Sequence, residues 1–140
     1  MKALVVDDQK ACRMQVEALL STLGIRVDCA ENGRDAVLLY IHAAKQGQPY
    51  RFVVMDNEMP VMDGCSAIAQ IRTWEHTHRG QADPSLICFV TGDTLCQAKY
   101  RYLNAHDALT HFMAKPLDVV RLKQLARLIA GPFCEEVQHH

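Results

Sequence analysis

The stretch FVVMDNEMPVMDG, residues 52–64, is the most informative part of the sequence. Four apolar residues suited to a buried strand run directly into a carboxylate, Asp56, and a proline and the pair Asp63-Gly64 follow within eight residues. A continuous apolar run is typical of a strand buried on both faces of a parallel sheet. Asp-Gly favours a turn. The stretch therefore predicts a core strand that ends at an acid.

Strand-like and helical segments alternate along the rest of the chain. Short apolar runs predict four further strands at residues 3–6, 25–30, 86–90 and 110–114. Helical periodicity and capping signals predict helices at about residues 10–23, 34–45, 65–74, 93–104 and 118–130, with Asp118 as the N-cap of the last, and a polar loop at residues 75–83. Five strand–helix repeats predict an α/β fold, a doubly wound parallel sheet with helices on both faces.

Composition and charge are those of an ordinary globular chain. The 140 residues fit one domain, which we expect to span residues 1–130, with a short C-terminal tail at residues 131–140. The net charge of −1 gives no reason to expect direct nucleic-acid binding. No apolar run approaches the ~20 residues that span a bilayer, and the start MKALVVDD lacks the pattern of a signal peptide. We therefore expect a cytoplasmic protein with no membrane contact.

Cysteine and histidine give no sign of a disulfide framework or a zinc site. The six cysteines form no C-x-x-C pair, and most lie among apolar neighbours, as free core thiols do: Cys12, Cys29, Cys65, Cys88, Cys96 and Cys134. His139 and His140 are compatible with either a native tail or a tag remnant.

Polar side chains stand at the ends of four predicted strands. Asp7 and Asp8 follow the first strand, Asp56 ends the third, Thr91 the fourth, and Lys115 follows the fifth. In a doubly wound sheet, sites form beyond the carboxyl ends of the strands, where the strand order reverses. We therefore expect these five side chains to converge on one pocket.

The residue types in this predicted pocket suit phosphoryl transfer. Three neighbouring carboxylates repel one another unless a cation joins them, and carboxylates with waters are ligands that Mg²⁺ prefers. A carboxylate oxygen can attack a phosphoryl group to form an acyl phosphate. Lys115 would add a positive charge and the Thr91 hydroxyl a hydrogen bond. The combination predicts transfer onto Asp56.

Each residue also has a plain structural explanation. Asp7 or Asp8, taken singly, is more often a helix cap or turn former. Thr91 is compatible with a turn and Lys115 with a solvated surface. The functional interpretation depends on the four strand ends occurring together.

The motifs LVVDD, MDNEMPVMDG, FVTG and FMAKPL, in this order and spacing, resemble those of the receiver domains of two-component response regulators. The resemblance covers residue 4 to about residue 128. It implies a flavodoxin-like (βα)5 fold with strand order 2-1-3-4-5. It also implies a phosphorelay function, in which a sensor histidine kinase or a histidine phosphotransfer protein donates a phosphoryl group from a phosphohistidine. The long loop at residues 75–83 is more like that of receivers attached to hybrid histidine kinases.

The same resemblance implies roles for the acids. Asp56 is the phosphoacceptor. Mg²⁺, or Mn²⁺ in its place, is held by Asp8, Asp56 and the backbone carbonyl of Glu58, and by Asp7 through a water molecule. Glu58 and Asp93 occupy positions that tune the rates of phosphorylation and hydrolysis, because an acid there repels an anionic donor or hydroxide. We therefore expect Glu58→Asn to change the lifetime of the phosphorylated form.

Further roles are implied for residues of the later strands. Thr91 and Lys115 contact the phosphoryl oxygens, and Pro116 follows Lys115 through a cis peptide bond. Phe112 holds the place of an aromatic switch residue, although an aromatic there is also compatible with a simple core position. Phosphorylation then shifts the surface formed by the predicted helix at 93–104, the fifth strand and the last helix. This surface would act on a protein target that the sequence does not identify.

Other functions remain to be distinguished from this one. A receiver catalyses its own phosphorylation and dephosphorylation without being an enzyme that acts on a separate substrate. A phosphorylation-independent docking scaffold has no need of the complete acidic set. An aspartyl phosphatase of the haloacid dehalogenase type needs a D-x-D motif, which Asp56-Asn57-Glu58 does not supply. The acids would repel a flavin phosphate. The sequence is compatible with a monomer or with a phosphorylation-dependent homodimer.

Overall fold

The computed structural model describes residues 1–78, 83–92 and 109–138, with residues 132–138 described by their backbone alone. The elements in chain order are β1 (Lys2–Val6), α1 (Lys10–Ser21), β2 (Arg26–Ala30), α2 (Gly33–Lys45), β3 (Phe52–Asp56), α3 (Gly64–Thr77), β4 (Leu86–Thr91), β5 (Thr110–Ala114) and α4 (Val119–Gln138). The predicted helix at 93–104 lies outside the described residues.

The five strands form one parallel sheet in the order β2-β1-β3-β4-β5, which confirms the predicted fold class. Strands β3 and β4 are buried along their whole length, as their continuous apolar runs predicted. The edge strand β2 instead alternates between less and more exposed residues. The chain runs outward from β1 to β2 and then crosses back to β3, so the strand order reverses between β1 and β3.

The core has two layers, one on each face of the sheet. Leu4 and Val6 of β1 belong to the layer that packs against α2 and α3, whereas Ala3 and Val5 belong to the layer that packs against α1 and α4. Successive side chains of a strand point to opposite faces, so a strand covered on both sides must be apolar throughout. The strand interiors therefore form the core, and polar residues lie at or just beyond the strand ends.

Side-chain caps begin three of the helices. The carboxamide of Asn32 accepts a hydrogen bond from the Asp35 N–H at the start of α2. Asp63 accepts one from the Ser66 N–H at the start of α3, and Asp118 accepts one from the Arg121 N–H before α4. Such oxygens satisfy amide donors that have no partner within the helix. The predicted capping role of Asp118 is confirmed.

Two boundaries differ from the sequence prediction. Helix α3 continues to Thr77, so the predicted loop at 75–83 is wrong at its start and Glu75 lies within the helix. Gly131, with φ 71° and ψ 174°, interrupts α4 where the predicted helix ends, but helical backbone resumes beyond it to Gln138. The predicted tail therefore includes helical residues, and the domain boundary at residue 130 stays a prediction.

The cysteines of the described segments agree with the sequence analysis. Cys12, Cys29, Cys65 and Cys88 are free thiols. No helix in the described part of the chain combines the length and apolar character that a membrane span requires.

Candidate functional site

Three acids meet at the point where the strand order reverses. Carboxylate oxygens of Asp7, Asp8 and Asp56 all lie within 4.8 Å of one another. Val6 of β1 is the register partner of Met55 of β3, so the residues that follow emerge side by side at the same edge of the sheet. Asp56 is buried, with 4% of its surface exposed, whereas Asp8 is exposed. The predicted convergence of these acids is therefore observed.

Lys115 reaches the same edge from β5. Its Nζ lies 2.7 Å from Oδ1 of Asp56 and 3.1 Å from Oε2 of Glu58. The Lys115–Pro116 peptide bond is cis, which is the isomer implied by the resemblance. The Lys115 side chain is 43% exposed, so its ammonium can neutralise an anion that enters from solvent.

Thr91 completes the group through a contact that the sequence did not predict. Its hydroxyl, which is fully buried with the rest of the residue, donates a hydrogen bond of 2.8 Å to Oε1 of Glu58. The Glu58 carboxylate therefore lies between Thr91 and Lys115, one oxygen toward each. Local sequence carries no signal for this bridge, because Glu58 and Thr91 are 33 residues apart and meet only when β3 pairs with β4.

The surroundings of Asp56 disfavour its ionised form. Burial raises the pKa of Asp56 to about 6; the Lys115 ammonium opposes this effect and the charge of Asp7 adds to it. Burial also raises the pKa of Asp7. Burial acts to raise the pKa of Glu58 as well, but the hydrogen bonds from Thr91 and Lys115 outweigh it and lower that pKa. The acids at the strand ends thus differ in how readily they ionise.

A hard divalent cation fits these acids. The buried Oδ1 of Asp56 accepts no well-aligned hydrogen bond from the described residues, although the Lys115 ammonium lies close to it. An under-coordinated carboxylate oxygen beside two further carboxylates is an oxygen-only donor set of the kind that Mg²⁺ and Mn²⁺ take. A dication would also counter the burial and the carboxylate repulsion that together raise the pKa of Asp56.

The acids open into a pocket of about 440 Å³ that continues along α1. Cys12, Gln15 and Val16 of α1 line one side of it, and Leu117 lines the side next to β5. The pocket therefore opens beside α1 and leads to Asp56.

Arg13 supports the acidic loop and was not singled out from the sequence. Its Nη1 donates a hydrogen bond of 2.8 Å to the backbone carbonyl of Asp7, and its Nη2 lies 3.6 Å from Oε1 of Glu31. The side chain thereby ties the loop after β1 to the loop after β2. Arg13 lies in a predicted amphipathic helix six residues after Asp7, and this position gave no functional signal.

The remaining predicted residues lie farther from the acids or outside the described residues. Phe112 is partly buried on β5, with its ring centroid 5.6 Å from that of Phe89, and it packs against the core. This position is compatible with both of the roles considered for Phe112. Asp93 lies outside the described residues.

Comparison with known proteins identifies the family. The family model described as the response regulator receiver domain matches residues 3–127. The sensor histidine kinase GacS of Pseudomonas protegens is 30% identical over 124 residues, which are 89% of this chain but only 12% of that protein. The chain therefore spans about an eighth of the length of this relative.

Receiver domains with solved structures share this fold. The receiver domain of the sensor histidine kinase PA1611 of Pseudomonas aeruginosa, determined with a magnesium ion in its active site cleft, is 29% identical, with a TM-score of 0.68 over 93% of this chain and 97% of that one. The receiver domain of the Saccharomyces cerevisiae response regulator Ssk1, solved with the histidine phosphotransfer protein Ypd1, shares the fold at 21% identity, with a TM-score of 0.74 over 96% and 91% of the chains. The family match, together with the strand order and the acids at the strand ends, shows that this chain belongs to the response regulator receiver domains.

Proposed function

We propose that this chain is the phosphoacceptor of a two-component phosphorelay, with Asp56 as the residue that receives the phosphoryl group. The observation that carries this proposal is the meeting of Asp7, Asp8 and Asp56 within 4.8 Å, with the Lys115 ammonium 2.7 Å from Asp56. A docking scaffold that works without phosphorylation would need none of these groups.

The chemistry is a displacement at phosphorus. A carboxylate oxygen of Asp56 attacks the phosphoryl group of a phosphohistidine, the N–P bond breaks, and its electron pair stays on the imidazole nitrogen. Lys115 and Thr91 stabilise the negative charge on the phosphoryl oxygens. Water later attacks the acyl phosphate, which returns the Asp56 carboxylate and inorganic phosphate. The protein thus acts on its own side chain and on no separate substrate.

The metal site would be formed by residues already at the edge of the sheet. Asp8, Asp56 and the backbone carbonyl of Glu58 would hold Mg²⁺ or Mn²⁺, with Asp7 acting through a water molecule. When bound, the ion would neutralise carboxylate charge and polarise the phosphoryl group.

The proposed donors and output follow from the family. A sensor histidine kinase or a histidine phosphotransfer protein would dock over the pocket beside α1, which opens onto Asp56. A donor of this class is supported by the receiver of Ssk1, which has the same fold and was solved together with the phosphotransfer protein Ypd1. Phosphorylation would draw Thr91 toward the phosphate and turn Phe112 inward, which changes the surface around β5 and α4. The protein would act on its target as a monomer or as a phosphorylation-dependent homodimer.

Intact-mass spectrometry tests the proposal. We expect one phosphoryl adduct on the protein after incubation with phosphoramidate and Mg²⁺, and none without the metal or in Asp56→Asn. Asp118→Asn is a matched control, since it removes a carboxylate outside the acid cluster while an asparagine keeps the helix cap. No adduct on the wild type would favour the docking scaffold, and an adduct on Asp56→Asn would place the acceptor elsewhere.

A further inference from the structure

The two groups that the proposed function assigns to the phosphoryl oxygens already bind an anion from the same chain. Thr91 Oγ1 donates a hydrogen bond of 2.8 Å to Oε1 of Glu58, and Lys115 Nζ donates one of 3.1 Å to Oε2. The Glu58 carboxylate thus uses the same hydroxyl and ammonium donors that the proposed function assigns to the phosphoryl oxygens. Glu58 therefore occupies the anion site that the reaction needs.

The Glu58 side chain can leave this site at little cost to the fold. It is 46% exposed, so it can turn into solvent without opening a cavity in the core. Its backbone belongs to the loop that follows β3, where Asn57 is anchored by hydrogen bonds to Val90 and to Gly64. The carboxylate can therefore move while the backbone carbonyl of Glu58 stays in place.

Electrostatics oppose joint occupancy of the anion site. Among the described residues, the carboxylates of Asp7, Asp8, Asp56 and Glu58 cluster near the ammonium of Lys115. A phosphoryl group on Asp56 would add further negative charge within contact distance of Glu58, at short range and in a partly buried setting. Lys115 and Thr91 cannot hold both anions in the geometry that they give Glu58.

We propose that the Glu58 carboxylate is an intramolecular competitor for the phosphoryl-oxygen site, which has to leave Thr91 and Lys115 before an anion can bind. This inference rests on the proposed function and adds a regulatory role to it. The sequence analysis attributed rate tuning by Glu58 to repulsion of an incoming donor, and such repulsion acts at a distance. Competition acts on contact: it lowers the affinity of every phosphoryl-like anion, and it is removed by any substitution that releases Thr91 and Lys115.

Beryllofluoride binding, measured by isothermal titration calorimetry at saturating Mg²⁺, tests the inference without any transfer reaction. We expect Glu58→Gln and Glu58→Ala to bind the anion about tenfold more tightly than the wild type, the effect of removing one competing charge-assisted hydrogen-bonded pair. Asp63→Asn is the matched control, because it removes a carboxylate from the same loop while an asparagine keeps the α3 cap. Its affinity should stay within about twofold of the wild type, since Asp63 lies outside the Thr91–Glu58–Lys115 bridge.

The outcomes separate the two proposals. Equal or weaker binding in both Glu58 variants, with thermal unfolding like that of the wild type, would overturn the competitor role and leave the phosphoacceptor role intact. An equal gain in Asp63→Asn would also overturn it, because general charge removal would then explain the effect. Absence of binding in the wild type and in every variant would overturn the phosphoacceptor function on which the inference depends.

Discussion

Asp56 shows how strongly one residue can depend on its surroundings. Its side chain is almost fully buried, near the carboxylates of Asp7, Asp8 and Glu58 and next to the ammonium of Lys115. Burial raises its pKa to about 6, so ionising it in the folded protein costs more than in the unfolded chain, where the ordinary value is 3.8. The ionised Asp56 carboxylate therefore lowers the stability of the fold at neutral pH.

The first prediction concerns this cost. Because the pKa of Asp56 is raised in the folded state, the residue contributes stability that is present below pH 3.8 and lost as the pH rises through about 6. Asparagine lacks this titration. We therefore expect Asp56→Asn to unfold with a higher free energy than the wild type at pH 7, by about 1–2 kcal/mol, and with a much smaller difference at pH 4.

Urea unfolding of both proteins in EDTA at the two pH values measures the difference. Asp118→Asn serves as the control, since its acid lies outside the cluster. A gain for Asp56→Asn that is the same at pH 4 and pH 7 would contradict the assigned cause.

Arg13 contributes to the site through a hydrogen bond to the loop that carries Asp7. Arg13 holds the carbonyl of Asp7 at 2.8 Å and so sets the direction in which the loop presents Asp7 and Asp8. Residues that orient metal ligands contribute to metal affinity without contacting the ion. We expect Arg13→Met to weaken Mg²⁺ binding about tenfold, as followed by isothermal titration calorimetry.

The exposed Arg34 on α2 provides the control for loss of a positive charge. Arg34→Met should leave Mg²⁺ affinity close to that of the wild type. If both variants bind Mg²⁺ equally well, Arg13 has no role in orienting the acidic loop.

At the scale of elements, the site depends on how closely α3 approaches the end of β3. A Cβ added at Gly64, the first residue of α3, would lie 2.2 Å from the backbone oxygen of Asp56. The turn between the acid and the helix therefore leaves no room for a side chain, which explains why the Asp-Gly pair stands at this position. The same pair supplies the cap of α3 through Asp63.

The prediction at this scale is a steric one. Gly64→Ala should lower the free energy of unfolding by about 2–3 kcal/mol, since the backbone atoms that the methyl group meets cannot move aside cheaply. Gly92→Ala is the matched control, because a Cβ at Gly92 meets no atom of the described residues within 4 Å. Urea denaturation of the two variants should separate them clearly, and equal stabilities would rule out the close approach.

At the scale of the whole molecule, the two ends of the sheet carry different groups of polar residues. The carboxyl ends of the strands carry the acids, whereas the amino ends carry a buried polar network. Arg72 of α3 bonds the Glu75 carboxylate, the Ser85 carbonyl and the Thr110 hydroxyl, and Glu75 also accepts hydrogen bonds from Tyr40 and from the Ser85 N–H. This network ties α2 and α3 to the starts of β4 and β5.

Breaking the network should destabilise the whole fold. Glu75 is only 7% exposed, so Arg72→Met would leave a buried carboxylate without its main counter-charge. We expect the free energy of unfolding to fall by about 3 kcal/mol. Arg51→Met, at an exposed arginine, should change it by less than about 0.5 kcal/mol in the same urea titration. A loss of similar size in both variants would argue against the network.

Much of the site was predictable from the sequence, and the reason is geometric. Every strand of a parallel sheet delivers its last residue to the same edge, so acids that end separate strands must approach one another once the strand order is known. Asp7, Asp8, Asp56 and Lys115 all stand at strand ends, so their convergence could be predicted. The position of Glu75 could not be predicted in this way, because a polar residue near the end of a helix looks like the start of a loop until its partners are known.

The sequence by itself determined the alternation of strands and helices, the parallel sheet, and the acids at its edge, because each is encoded by residues within a few positions of one another. Only the tertiary structure decided that Glu58 bridges Thr91 and Lys115, that Arg13 holds the Asp7 loop, and that Arg72 and Glu75 are buried together. The physical reason is that each arrangement depends on atoms from other elements: even Arg72 and Glu75, three residues apart on α3, are buried together only because Tyr40, Ser85 and Thr110 bond them from elsewhere in the chain. Hydrogen bonds and ion pairs act over about 3 Å, so partners that come from different elements are chosen only when strand register and helix packing place their atoms side by side.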